Sequence, residues 1–472
     1  MRKILPLFVL VFAAVCCGPA PVVSTMEQGP MFPDYRDVTV PSGIAPLNFD
    51  YTSADAAGAR TTFAAGGLQY RFKGPAVRWS MRKWRKLLAS AAGGEISVTS
   101  SVCGSWKIYV SEDAIDYGLN YRLIEPGYVV FSKMGIYERD LGSFRQKTLI
   151  ENTDFIGCIN CHSYNRGDPA DFSLHIRGDH GATLLRKDGR MAAYNTKTDH
   201  SLGFCVYPYW HPDGRFIAYS TNNTRQLFHL QPDKTIEVFD MASDVQIYDT
   251  QNNRLITPDC LKVEDKWETF PVFSADGRTL YFCMSDAVSL PEGLSQARYN
   301  LYKTSFNPQT GEVSQDAELV IDAASEGGSI SFPKPSYDGR YLIYTLSEYG
   351  QFSIWHHEAD LWLLDLSTGQ TRPLDEVNSP DTESYHGWSS NSSWIVFSSR
   401  RGDGLFTRLY IAHVGADGTF GKPFLLPQKN PSKYYGELFM SFNVPEFVTG
   451  PVDIDFREAA KMINAEDRVP FE

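Results

Sequence analysis

The sequence predicts an all-β protein, a β-propeller of about five or six blades behind a small β-rich N-terminal domain with one helix. Three observations predict it. A segment running from an aromatic residue through Asp-Gly into an alternating strand recurs along the second half. A separate strand–turn–strand follows the copies. The composition, with 13% aromatic residues, 37 Gly and 27 Pro in 472 residues, suits many short strands joined by tight turns.

The copies are YPYWHPDGRFIAYSTN from Tyr207, FPVFSADGRTLYFCMSD from Phe270, FPKPSYDGRYLIYTLSE from Phe332 and YHGWSSNSSWIVFSSRR from Tyr385. In the last, Asn391-Ser392 stands where the others carry Asp-Gly. A fainter copy surrounds Gly189, and LFMSFNVPEF is a candidate closing strand. Gly accepts positive φ without steric cost and Asp bonds its own backbone, so Asp-Gly sets a tight turn. LYKTSFNPQTGEVSQDAELV, LWLLDLSTGQTRPL and LYIAHVGADGTFGKPFLL supply the second hairpins. Four strands per unit at a spacing of roughly 60 residues describe propeller blades rather than a sandwich.

In chain order, residues 1–17 read as a signal peptide. Arg2 and Lys3 precede an apolar run from Ile4 to Val15, too short to span a bilayer. The run ends at Ala-Ala-Val-Cys-Cys, a lipoprotein-like pattern with Cys17 or Cys16 as the acylated residue. The usual leucine three positions earlier is missing, so cleavage and release stays open. Residues 18–40 form a linker. Residues 41–150 form the β-rich domain, with a helix over 79–90 carrying Trp84, Leu87 and Leu88 on one stripe. Residues 151–180 carry a Cys-x-x-Cys-His motif, 181–447 the propeller, and 448–472 a helix or a loosely held tail.

The motif is Cys158-Ile159-Asn160-Cys161-His162. Its two thiols have the spacing that adds to haem vinyl groups, and the adjoining His binds iron, so it predicts one covalent haem c. A Cys158–Cys161 disulfide, a redox pair and a zinc site are the alternatives; zinc needs further ligands. His175, His180 and Met134 are candidates for the sixth iron ligand, and a five-coordinate iron is the remaining case. Cys103, Cys205, Cys260 and Cys283 form two disulfides or stay buried thiols. His386 and His211 stand just before turns in their repeats and read as parts of the repeat. A net charge of −12 argues against nucleic acid.

The Asp-Gly repeats resemble TolB-type (PD40) propeller repeats over residues 180–447. Together with GCINCHSYNRGDP and SLHIRGDHGATL, the chain resembles exported bacterial proteins that pair one c-type haem motif with a TolB-like propeller. That resemblance implies a periplasmic protein, lipid-anchored to the outer membrane, which meets a redox partner or larger complex in the envelope. It implies an electron carrier or binding protein more than an enzyme. The alternative is a non-haem propeller scaffold for a protein or glycan partner, with the two motif cysteines joined as a disulfide.

Overall fold

The computed structural model describes residues 29–126, 132–155, 157–199, 201–231, 234–465 and 467–472. The signal peptide, with Cys16 and Cys17, lies outside the described residues. Among the described residues no helix is long and apolar enough to cross a membrane.

The N-terminal domain contains β1 (Met31–Phe32), β2 (Thr39–Pro41), β3 (Phe49–Tyr51), β4 (Arg60–Ala65), β5 (Leu68–Lys73), β6 (Ala76–Val77), α1 (Met81–Ser90), β7 (Glu95–Ser100) and β8 (Gly104–Ser111). They form two sheets, β1-β3-β6 and β2-β8-β7-β4-β5. Ser80 caps α1 by accepting from the Lys83 amide, and Trp84, Leu87 and Leu88 are buried on one side, as the stripe predicts. The Trp84 indole donates to the Ile44 carbonyl at 2.9 Å, so its one polar atom is satisfied inside the core.

Six four-stranded blades follow. Blade 1 holds β9 (Gly118–Ile124), β10 (Met134–Asp140) and β11 (Gln146–Glu151). Blade 2 holds β12 (Cys158–Asn165), β13 (Asp168–Arg177), β14 (Ala182–Lys187) and β15 (Arg190–Asn195). Blade 3 holds β16 (Cys205–Trp210), β17 (Phe216–Gln231), β18 (Lys234–Asp249) and β19 (Arg254–Ile256). Blade 4 holds β20 (Lys266–Phe273), β21 (Thr279–Asp286), β22 (Asn300–Ser305) and β23 (Glu318–Ile321). Blade 5 holds β24 (Ser329–Pro335), β25 (Tyr341–Ser347), β26 (Asp360–Asp365) and β27 (Thr371–Pro373). Blade 6 holds β28 (Glu383–Trp388), β29 (Trp394–Ser399), β30 (Arg408–His413) and β31 (Phe424–Leu425). After α2 (Pro431–Glu437), β32 (Ser441–Val448) returns to blade 1, pairing with β9 through Phe442↔Leu123 and Phe447↔Leu119. The chain ends in α3 (Phe456–Asn464) and β33 (Val469–Pro470), which adds a fifth strand to blade 2.

The first strands β12, β16, β20, β24 and β28, with β32, contact one another in a closed ring. Closure joins the C-terminal strand to the first three propeller strands, so no inner edge is left unpaired. LFMSFNVPEF is therefore the closing strand. Three readings differ from the expectation. Residues 31–40, read as linker, carry β1 and most of β2 and bury Met31, Tyr35 and Val38 in the core. Residues 118–151, placed by sequence in the N-terminal domain, are blade strands. Their inner partner lies more than 300 residues away in the chain, so no local repeat marks them. The Asp-Gly at Gly189 turns β14 into β15, an outer hairpin; the inner turn of blade 2 is Asn165–Asp168.

The N-terminal domain shares its core with blade 6: Trp84, Val98, Trp394, Val396 and Ile411 belong to one buried cluster. Tyr35 Oη donates to the Leu425 carbonyl, and Asn48 Nδ2 to the Lys429 carbonyl. The C-terminal tail is docked, since Phe471 stacks on Tyr248 at 3.7 Å.

Candidate functional site

Every inner strand breaks register at one equivalent point, and β12 does so again at Tyr164/Asn165. The shifts fall between Asn160/His162, Val206/Tyr209, Thr269/Val272, Ser331/Lys334, Ser384/Gly387 and Asn443/Glu446. At each, one non-glycine residue has positive φ: Cys161 (44°), Tyr207 (50°), Phe270 (51°), Phe332 (52°), Tyr385 (47°) and Val444 (49°). These are β-bulges at one equivalent position per blade, each a conformation costing on the order of 1–3 kcal/mol unless its surroundings hold it. The next residue is proline in four blades: Pro208, Pro271, Pro333 and Pro445. Proline has no N–H to lose at a bulge, which suits it to this position. The two exceptions are His162 and His386.

The six bulge residues divide the channel. Tyr207, Phe270, Phe332 and Tyr385 are consecutive around the ring, with centroid separations of 4.6, 4.4 and 4.8 Å. Val444 and Cys161, on the adjacent blades 1 and 2, carry no ring. A cavity of about 340 Å³ lies in the channel, bordered by all six bulge residues and by Cys158, His162, Arg122, Arg177 and His386 among others. The volume is in the range of small-molecule sites.

All three motif residues therefore border one cavity. Cys158 pairs with Arg177 across β12 and β13, whereas His162 pairs with Leu174. Because the bulge adds Cys161 between them, Cys158 and His162 fall on opposite faces of β12. His162 is buried, hydrogen-bonds the Asn120 backbone, and has its pKa pulled down to about 3 by burial and by the nearby Arg122. It is a neutral imidazole at physiological pH, and its Nε2 is buried without a partner. A ring held by backbone on one side with an uncommitted nitrogen on the other is what an iron ligand requires. Burial raises the Cys161 thiol pKa, with Arg177 opposing. All six described cysteines are free thiols. Among the described residues no group of three His, Cys, Asp or Glu side chains could hold a metal ion, as zinc demands. Two thiols and one imidazole are the donor types that a covalently held haem would use.

The axial candidates named from sequence do not border the cavity. Met134 is fully buried and its sulfur accepts from the Ile159 amide at 3.2 Å. His175 pairs with Asn160 across β12 and β13, bonds Thr183 at 3.1 Å and lies 5.5 Å from the Phe204 ring. His180 sits in the turn after β13, where its carbonyl accepts from Arg468.

His386, which reads from sequence as part of the repeat, does border the cavity. Its Nε2 donates to the Ile343 carbonyl at 3.0 Å, and its Nδ1 is buried without a partner. Ile343 lies opposite Lys334, as Asn120 lies opposite Glu446. The two histidines thus make the same hydrogen bond into the preceding blade. The sequence signal was available: His386 follows Tyr385 where Pro208 follows Tyr207. His211 is not at that position. It matches Ser389, three residues further on, and its Nε2 meets the Gly277 carbonyl of the next blade's turn at 2.9 Å. A Cβ at Gly277 would lie 2.0 Å from that nitrogen, so this turn needs glycine for space as well as for its φ of 70°.

The hairpin β17–β18 runs past the blade and over the aromatic half. Thr224, Arg225, Gln226 and Val238 reach the cavity, and Ile236 packs with Phe270, Phe332 and Tyr385. Glu237 fastens it to blade 5, accepting from Tyr349 Oη at 2.9 Å and meeting His356 Nε2 at 3.2 Å. Burial opposes charge on His356, but Glu237 and Glu358 outweigh it and push its pKa up to about 9.

No family model matches the chain, and no curated protein matches it. Solved structures similar to it include TolB from Acinetobacter baumannii, 13% identical over 70% of this chain and 67% of that one, with a TM-score of 0.43. Oligogalacturonate lyase from Vibrio parahaemolyticus is 12% identical over 60% and 84%, with a TM-score of 0.33. A hypothetical selenium-binding protein from Sulfolobus tokodaii is 10% identical over 73% and 96%, with a TM-score of 0.40. The propeller assignment rests on the strand pairing, and these similarities add nothing about ligand or activity.

Proposed function

We propose that the chain is an exported c-type haem protein whose propeller holds one haem in its central channel for electron transfer, alone or within an envelope complex. The observation that carries the reading is that Cys158, Cys161 and His162 all border the channel cavity. Cys158 and Cys161 would hold the group through their sulfurs, and His162, whose Nε2 is uncommitted, would be an iron ligand. Haem bound there supplies one-electron exchange. The aromatic wall and the hairpin keep water from the site, which raises the effect of nearby charges on its potential. His386 would be the second candidate ligand in place of His175, His180 or Met134, because it alone of the four borders the cavity. A lipid anchor at Cys17 or Cys16 would hold the protein at the periplasmic face of the outer membrane, where a redox partner docks.

The test is colour. Full-length protein made in cells that mature c-type cytochromes should keep a haem stain on a denaturing gel, and Cys161→Ala should lose at least nine-tenths of it. A colourless parent protein rejects the reading. The placement of Cys158 and His162 on opposite faces of β12 favours a second reading, a non-haem scaffold that binds a protein or glycan partner at its loops. It predicts that colourless parent.

A further inference from the structure

We infer that the channel cavity is a binding site for an organic anion with a flat apolar body and carboxylate arms. The inference deepens the haem reading by naming the chemistry that the site selects, and it holds with or without iron.

Charge distribution points there first. The chain carries a net −12, yet four basic side chains and one acid border the cavity: Arg122, Arg177, Arg225, Lys334 and Glu446. A cationic pocket within an anionic body attracts and retains anions, because low-dielectric walls focus its field. The bases converge from separate elements, β9, β13, the β17–β18 hairpin and β24, so they surround the space rather than line one strand. Arg122 is committed in part, with Nη1 2.6 Å from Asn160 Oδ1. Lys334 has its Nζ 4.9 Å from the Tyr209 ring centroid. Arg177 stands opposite Cys158 on the neighbouring strand, and among the described residues no hydrogen bond or ion pair engages its side chain. Guanidinium forks grip carboxylates in two-point fashion and are more weakly hydrated than ammonium, so they suit a half-buried wall.

The second observation is shape. The same cavity is bordered by the consecutive rings of Tyr207, Phe270, Phe332 and Tyr385, and flat apolar walls favour flat apolar ligands. A small inorganic anion would use the bases and leave the rings exposed. An uncharged aromatic would use the rings and leave the bases uncompensated. A ligand with both parts uses the whole site.

The experiment uses the full chain produced without haem maturation, so that the thiols stay free. The probes are metal-free protoporphyrin IX, a flat dicarboxylate, and its dimethyl ester, the same body without charge, titrated by porphyrin fluorescence in dilute detergent. The acid should bind at least tenfold more tightly than the ester, with the advantage shrinking as salt rises. Arg177→Gln and Lys334→Gln should each weaken the acid at least fivefold and leave the ester unchanged. Arg225→Gln, on the exposed hairpin and remote from the fold's core, gives the same reading if either of the others fails to fold. Equal affinity for acid and ester, no binding of either, or variants that leave the ratio intact would overturn the inference. The haem reading is judged separately by colour: a colourless parent with a high acid-to-ester ratio sinks haem alone, and a coloured parent with a ratio near one sinks this inference alone.

Discussion

The two sides of the channel use one backbone for opposite ends. Around blades 3 to 6, the bulge at each inner strand turns an aromatic ring inward, and the four rings contact one another in sequence. Around blades 1 and 2 the same bulge, with the same positive φ, presents Val444 and Cys161. The ringed side is covered by the β17–β18 hairpin. The ringless side carries the cysteines, the buried imidazole of His162, Arg122 and Arg177. The difference teaches that the cavity is not an accident of loop placement. It is made by withholding two rings from an otherwise repeating wall, and the chemistry is placed where they are withheld.

The largest expected effect contrasts the two sides directly. Phe332 is buried and touches the rings of Tyr207, Phe270 and Tyr385. Phe332→Ala should cost about 3–5 kcal/mol, the range for deleting a packed ring. Cys161→Ala in the haem-free chain, at the equivalent bulge, should cost about 1 kcal/mol or less, since it removes one sulfur beside existing space. Urea unfolding of both variants checks the pair. Equal costs would mean that the ringless side is as tightly packed as the other, and the comparison would fail.

This comparison also marks what was legible in the sequence. The Asp-Gly turns of blades 3 to 5 announce themselves because a turn needs particular residues at fixed offsets. The outer hairpins and the buried face of α1 follow from strand and helix periodicity. Blade 1 was hidden because β9 pairs with a strand from the far end of the chain, and pairing at that distance leaves no local pattern. The motif was legible as chemistry but not as position. Only when Cys161-His162 is set against Tyr207-Pro208 and Phe270-Pro271 does the bulge appear, and His386 with it. Arg122 and Arg177 carried no signal, since their importance comes from strands brought beside the motif by folding.

The next effect sharpens the account of the covered side. His356 is nearly enclosed, and its pKa stands at about 9 against an ordinary value near 6.5. A folded-state pKa raised in this way gives stability that is complete below about pH 6.5 and is lost as pH rises through 9. The ceiling is about 3 kcal/mol from a shift of that size. Stability measured from pH 6 to 10 should fall across that window, and Glu237→Gln should flatten the fall. Because the clasp fastens the hairpin to blade 5, the protection of β17 and β18 amides, taken relative to the intrinsic exchange rate at each pH, should fall on the alkaline side while that of β12 stays constant. A uniform loss of protection across the propeller would show that the hairpin is no separate cover.

The smallest effect tests whether the space beside Cys161 is real. Val444 is β-branched and sits at a φ of 49°, a combination that is strained even among residues with positive φ. Phe270 and Phe332 show that a phenylalanine occupies the equivalent bulge comfortably. Val444→Phe would add a ring on the side that lacks one. In a filled core such an enlargement costs typically about 1–3 kcal/mol. Here the cavity of about 340 Å³ borders Val444 itself, so the ring has somewhere to go, and the change relieves the β-branch at the same time. The variant should unfold within about 0.5 kcal/mol of the parent, an estimate that sets relief of strain against lost side-chain freedom. It should also bind the porphyrin dicarboxylate at least tenfold more weakly. A penalty above about 1.5 kcal/mol would mean that the wall is already complete, and that the two sides differ in chemistry without differing in room.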